Sequence, residues 1–243
     1  MSQPLLAPNF LFRFSAPLRY AAGAGATSGA APVASSAPVA SGTASLSPGV
    51  AVAAKLGEEY RLPNFSALEG KTPYADVRGA WSEAGLSFSL RVAGKSQPLW
   101  CRDSRLDDSD GFQLWIDTRD THNVHRASRF CHRFLFLPAG TGRRLEEPMA
   151  AILGINRARE SPRPPPDGSL RVNVRRAAGA YSLEIAIGAS ALTGFDSTDH
   201  PRLGFTYLVI DRELGQQTFA YSPEFTTLAE DPSLWATLEM VRE

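Results

Sequence analysis

The sequence predicts an all-β fold, an antiparallel β-sandwich of jelly-roll or immunoglobulin-like type. Three observations predict it. About ten short segments alternate apolar and polar residues, turn signals separate them every 8–12 residues or so, and no long segment has helical periodicity. At 243 residues the chain is long enough to bury a sizeable core. The sandwich is assigned to residues 55–243, preceded by an N-terminal strand segment (1–20) and an Ala/Ser/Pro-rich disordered tether (21–54).

Phe10, Phe12 and Phe14 alternate with Leu11, Arg13 and Ser15, which reads as a short strand docking on the main domain, at an edge. From Ala21 to Ala54 the residues are Ala, Gly, Ser, Thr, Pro, Val and Leu, with no charge. Such small side chains bury too little apolar area to offset the entropy of ordering, hence a flexible tether. Leu62–Leu68 and Tyr74–Trp81 read as strand and turn material. In Gly85–Val92, Leu86, Phe88, Leu90 and Val92 face inward.

The stretch around which the rest is arranged is Asp108–Asp120, where Phe112, Leu114 and Ile116 point one way and Gln113, Trp115 and Asp117 the other. Arg129–Leu137 is apolar in both registers, as a central strand is. Pro162–Gly168 is a loop between Ala151–Asn156 and Leu170–Val174. Further strands are read at Ala180–Ile187, Gly204–Asp211, Gln217–Tyr221 and Ala236–Val241.

Lys+Arg and Asp+Glu balance at 25 each, so no global field recruits nucleic acid or an anionic membrane. The N-terminus lacks a basic region before an apolar run, and Pro4 and Pro8 interrupt it. The expected location is the cytoplasm. Cys101 and Cys131 either form one bridge or remain thiols.

Several constellations could carry chemistry. His122 and His125 stand three apart in a loop, with Cys131 and His132 beyond; His-x-x-His can chelate zinc, with Asp117 or Asp120 as oxygen ligand. Cys131 and His132 are strand neighbours and face opposite ways, so at most one joins the histidines. Arg102, Arg105, Arg119, Arg126, Arg129 and Arg133 suggest an anion-binding surface. The run Asp103, Asp107, Asp108, Asp110 suggests a structural calcium, although it lacks the ordered spacing of a dedicated loop. There is no Gly-x-Ser-x-Gly elbow and no phosphate-binding glycine loop.

Three segments in fixed order resemble the family 9 carbohydrate-binding modules, a group related to the DOMON sandwich domains. They are Asp110–Asp117, then Tyr181–Ile187 with Leu192, then Gly204–Asp211 with Asp231–Met240. The resemblance implies a saccharide end held between two tryptophans, with polar and charged residues around its hydroxyls. It places Trp100 as the first tryptophan, Arg102 and Asp103 in the polar positions after it, and Arg129 or Arg133 as a sugar-contacting arginine. The second tryptophan is replaced by Thr227-Leu-Ala-Glu, where Tyr221 and Phe225 are the nearest rings.

The expected function is a non-enzymatic module that binds a saccharide or a similar small polyol or anion. Its recognition face would gather Trp100, Arg102, Trp115, Arg126, Arg129, His132, Arg133 and Tyr221. One alternative is a metal-binding protein or metal-assisted enzyme built on His122, His125 and His132 or Cys131, with zinc. Another is a structural domain that binds a protein partner through its N-terminal segment.

Overall fold

The computed structural model describes residues 14–26, 56–66, 70–220 and 225–242. Its strands are β1 (Ser15–Tyr20), β2 (Ala75–Ser82), β3 (Gly85–Ala93), β4 (Gly111–Asp117), β5 (Cys131–Thr141), β6 (Glu147–Leu153), β7 (Leu170–Ala177), β8 (Ala180–Gly188), β9 (Arg202–Asp211), β10 (Gly215–Thr218) and β11 (Ala236–Val241), with one short helix, α1 (Phe225–Glu230). The strand order is β6-β5-β4-β9-β11-β1-β2-β3-β8-β7, and β10 adds to β9. The sheet folds over on itself into the two layers of a nearly closed sandwich.

The period-two pattern places the core. Phe112, Leu114 and Ile116 of β4 share one buried cluster with Leu86, Phe88, Leu90 and Val92 of β3. Across the layers, the Phe88 and Phe205 rings stack at 5.8 Å, and Phe88 meets Phe112 edge-on at 6.4 Å. Aromatic pairs in these geometries add to what area burial alone contributes.

The N-terminal strand differs from its expected position and role. Residues 10–13 lie outside the described residues, and the strand is Ser15–Tyr20. It does not sit on an edge: β1 runs parallel to both β11 (Ser15 opposite Thr237 through Arg19 opposite Val241) and β2 (Arg19 opposite Ala80, Tyr20 opposite Trp81). Leu18 is fully buried in the core. All other pairings are antiparallel.

The first residues assigned to the tether are also part of the domain. Ala21 and Ala24 pack with Leu56 and Ala80. Gly25 N–H donates to Ser87 Oγ (2.9 Å), and Ser82 Oγ donates to the Ala24 carbonyl (2.5 Å). Of the remaining tether expectation, residues 27–54 lie outside the described residues.

Where β2 extends beyond β1, a side chain substitutes for a strand. Tyr74 and Ala75 N–H both donate to Gln217 Oε1 (3.0 Å each), and Gln217 Nε2 donates to the Ala75 carbonyl (2.8 Å). The buried Gln217 carboxamide thus satisfies backbone groups that would otherwise be orphaned.

Candidate functional site

Asp110, fully buried at the start of β4, holds two separate pieces of chain with its two carboxylate oxygens. Trp100 N–H donates to Oδ2 (3.0 Å) and Arg212 N–H to Oδ1 (2.8 Å). Asp110 N–H in turn donates to the Trp100 carbonyl (2.8 Å). Lys95 is the one cation shared by two carboxylates, its Nζ lying 3.3 Å from Asp110 Oδ2 and 2.5 Å from Asp211 Oδ2. Asp211 Oδ1 accepts from Glu213 and Leu214 N–H, which turns the chain after β9 and delivers Arg212. Burial alone would lower the Lys95 pKa, but the Asp211 hydrogen bond and the two carboxylate charges outweigh it and the pKa is raised.

The consequence is an aromatic side chain ringed by cations. The half-buried Trp100 ring has the Arg212 guanidinium 4.8 Å from its centroid, Arg102 at 5.9 Å and Arg105 at 6.0 Å. Arg105 is tied to Asp108 through Nε (3.1 Å) and Nη2 (2.6 Å). Arg102 and Arg212 are exposed and have no ion pair among the described residues. The sequence pointed to Trp100, Arg102 and Arg105 but not to Arg212, Lys95 or Asp211 as their support. The available signal was the recurrence of an aspartate at the ends of two resemblance segments, Asp110 and Asp211.

A second polar group adjoins this loop. Arg133 stands opposite Trp115 across β4 and β5, with its guanidinium 5.1 Å from the indole centroid. Nε and Nη2 donate to Gln113 Oε1 (3.2 and 2.7 Å), and Nη2 donates to Asp107 Oδ1 (2.5 Å). Gln113 Nε2 donates to the Asp107 carbonyl (3.3 Å). Arg133 is thereby joined to the Trp100 loop.

Two of the expected recognition residues are not on an accessible face. Trp115 is 1% exposed, because the outward side of β4 is itself covered: Ala127, Cys131, Leu208, Ile210, Leu228 and Trp235 pack around it as a second cluster. His132 is fully buried on the core side of β5, stacked on Phe134 at 5.8 Å. Thr193 N–H donates to its Nε2 (2.9 Å), so Nδ1 carries the proton and points at the Ile116 carbonyl (3.4 Å). Burial holds its pKa down at about 4, and the ring is neutral.

The remaining candidates are dispersed. Arg126 Nε donates to the Arg157 carbonyl (2.8 Å), and Arg129 lies over Phe130 (5.0 Å) together with Arg119 (4.4 Å). Tyr221 lies outside the described residues. His122 Nε2 is engaged by Thr237 Oγ1 and Asp120 Oδ1 (3.1 Å each), whereas His125 Nδ1 meets Asp231 Oδ2 and Ser233 Oγ (3.0 Å each). No group of three or more His, Cys, Asp or Glu side chains among the described residues could hold a metal ion. The acidic run is likewise divided, with Asp107 on Arg133, Asp108 on Arg105 and Asp110 on Lys95. Cys101 and Cys131 are both free thiols, and burial pushes each up to about 12, so neither is a thiolate at neutral pH.

A groove of about 480 Å³ opens on the other layer, lined in part by Arg61, Asn64, Tyr74, Asp76 and Arg91. None of the residues singled out from the sequence lines it.

Two solved structures are similar to this chain. One is a family 9 carbohydrate-binding module from Caldicellulosiruptor kristjanssonii in complex with cellotriose, with a TM-score of 0.53 and 10% identity over 95% of this chain and 94% of that chain. The other is a family 9 module from the same organism in complex with glucose, with a TM-score of 0.51 and 10% identity over 80% of this chain and 93% of that chain. No protein-family model and no curated protein matches the sequence. At this identity the likeness concerns architecture, and the chain has a fold like that of the family 9 carbohydrate-binding modules.

Proposed function

We propose that this protein is a non-catalytic module that binds a saccharide at Trp100. The observation that carries the reading is the Trp100 indole, held at the edge of the sandwich by Asp110, with the guanidiniums of Arg102 and Arg212, neither in an ion pair among the described residues, beside it. The C–H face of a pyranose stacks on an indole, and guanidinium forks donate to ring and hydroxyl oxygens. The fold likeness supports the same class, because both similar modules were captured with glucose-based saccharides.

Arg212 stacks on the indole at 4.8 Å, so a sugar engages either the other side of the ring or the guanidinium itself. Arg133 stands next to this loop, its guanidinium held in a fixed direction by Asp107 and the buried Gln113. Two of the nearby carboxylates, Asp107 and Asp108, are spent in ion pairs with Arg133 and Arg105, which leaves neither placed as an acid or base.

The test is calorimetric titration of wild type and Trp100→Ala with cellotriose and related soluble oligosaccharides. The expected result is saturable binding by the wild type, weakened at least about tenfold in the variant, in keeping with loss of an aromatic contact. Equal binding, or none in either protein, rejects the reading.

A further inference from the structure

We propose that the saccharide taken at Trp100 is acidic, with a uronate carboxylate bridging Arg102 and Arg212. This rests on the saccharide reading above and adds the chemical class of the ligand. A neutral sugar needs hydrogen-bond donors near an aromatic face, but not two exposed cations without direct ion-pair partners. At Trp100 the structure supplies both. Arg212 and Arg102 lie 4.8 and 5.9 Å from the ring centroid, exposed and without an ion pair among the described residues.

The neighbouring carboxylates do not neutralise this pair. Asp108 is engaged by Arg105 and Asp107 by Arg133. Glu213, next to Arg212, turns the other way: its carboxylate accepts from Ser96 N–H (2.9 Å) and Gln97 N–H (2.8 Å) and from the Ser96 hydroxyl. Those hydrogen bonds, led by that of the Ser96 side chain, hold the Glu213 pKa below its ordinary value. Asp110 and Asp211 are buried and share Lys95 as their one cation, and their other oxygens accept backbone N–H groups, so neither forms an ion pair with a guanidinium among the described residues. Asp103, in the exposed loop after Arg102, forms no ion pair with either guanidinium among the described residues.

Geometry favours a carboxylate over other ways of meeting that charge. Planar guanidinium forks pair with planar carboxylates through two parallel hydrogen bonds. Arg212 already lies over the indole, so a uronate can dock its carboxylate on the free edge of the guanidinium, and no cation has to be expelled. A neutral pyranose at the same place gains hydrogen bonds from the guanidinium but nothing from its charge.

The experiment compares cellotriose with its C6-carboxylate counterpart, a β-1,4-linked triglucuronate. Both are titrated into the full chain at about 50 mM and about 500 mM salt, where screening lengths differ several-fold. The proteins are wild type, Trp100→Ala and the double variant Arg102→Gln/Arg212→Gln; both arginines are exposed, and thermal melting confirms that the double variant folds. The expected result is that wild type binds triglucuronate at least tenfold more tightly than cellotriose at low salt. That preference shrinks at high salt and disappears in the double variant, while Trp100→Ala weakens both ligands. Cellotriose binding as tightly as triglucuronate overturns the inference and leaves the saccharide reading standing. A preference for the acid that survives in the double variant overturns the assignment to these arginines. Binding of neither ligand overturns both the inference and the reading beneath it.

Discussion

Trp100 and Arg212 are 112 residues apart in the chain, yet their backbone N–H groups donate to the two oxygens of a single carboxylate, Asp110, and their side chains stack at 4.8 Å. The two residues proposed to take the ligand are therefore positioned by a buried ion cluster and not by their own loops. Lys95 is the cation of that cluster, with 4% of its side chain exposed, and it faces two carboxylates with no exposure at all. Removing one partner of such a group is costly because the opposite charges stay buried without compensation. Lys95→Met is expected to lower stability by about 3–5 kcal/mol in urea unfolding. Adding Asp211→Asn to it should restore part of the loss, because one of the stranded charges is removed. A single variant within 1 kcal/mol or so of wild type would show that the cluster is not an ion pair in solution.

His132 makes stability depend on pH in a window set by its burial. In the unfolded chain it binds a proton near its ordinary pKa of about 6.5, and in the folded protein only near 4. Between those values the unfolded state holds one proton more, so stability falls as pH falls, by about 1.4 kcal/mol per pH unit. The whole contribution is present above about pH 7 and lost near pH 4, on the order of 3 kcal/mol in total. Urea unfolding of wild type and His132→Gln across pH 4–8 checks this. The difference between the two should shrink steadily toward acid, and a constant difference would mean that folding does not shift the His132 pKa.

His132 also shows where sequence reading reached its limit. Its opposition to Cys131 follows from strand alternation, but which of the two faces the core does not. Leu135 and Leu137 on one side of β5 and Phe134 and Phe136 on the other are all fully buried, so the pattern carries no direction. Trp115 fails in a related way. Phe112, Leu114 and Ile116 correctly mark the core side of β4, but the other side is covered by Leu228 and Trp235, which are more than 110 residues further along the chain. A local period cannot report that distant cover. Trp100 and Arg102 were singled out because the family resemblance aligns them with a tryptophan and the polar position after it, just before the alternating strand. Arg212 was not, because only the Asp110 and Asp211 carboxylates bring it there.

Gln217 gives a test of the join between β10 and β2. Its carboxamide accepts from two backbone N–H groups and donates to one carbonyl, all at Tyr74 and Ala75. Gln217→Leu preserves much of the volume and leaves these groups unpaired, each at about 1–3 kcal/mol, for an expected loss of about 3 kcal/mol. Gln217→Glu keeps the acceptors but sets a carboxylate oxygen against the Ala75 carbonyl, and it should be no better tolerated. Hydrogen exchange at Ala75 N–H gives the local readout, with protection falling in both variants. Unchanged protection would mean that another group covers this part of β2.

The segment after β1 offers the sharpest contrast between composition and structure. Ala21–Ala26 reads as the start of a low-complexity tether, since nothing in Ala-Ala-Gly-Ala-Gly-Ala signals a packed turn. Gly23 and Gly25 both have positive φ, +82° and +72°, so any side chain at either pays a similar backbone strain of about 1 kcal/mol. Their surroundings are opposite. A Cβ at Gly23 meets nothing within 4 Å, whereas one at Gly25 falls 2.3 Å from the Gly85 backbone carbonyl carbon. Gly85 cannot retreat, because its own α-carbon backs onto the Ile187 carbonyl, which a Cβ there would approach to 2.1 Å. Gly25→Ala should therefore separate the turn from the β2–β3 hairpin, break the Gly25–Ser87 hydrogen bond, and cost several times what Gly23→Ala costs. The pair is compared by thermal melting. Equal, small shifts in Tm would mean that the chain after Tyr20 is already loose in solution, and that the tether begins where its composition says it does.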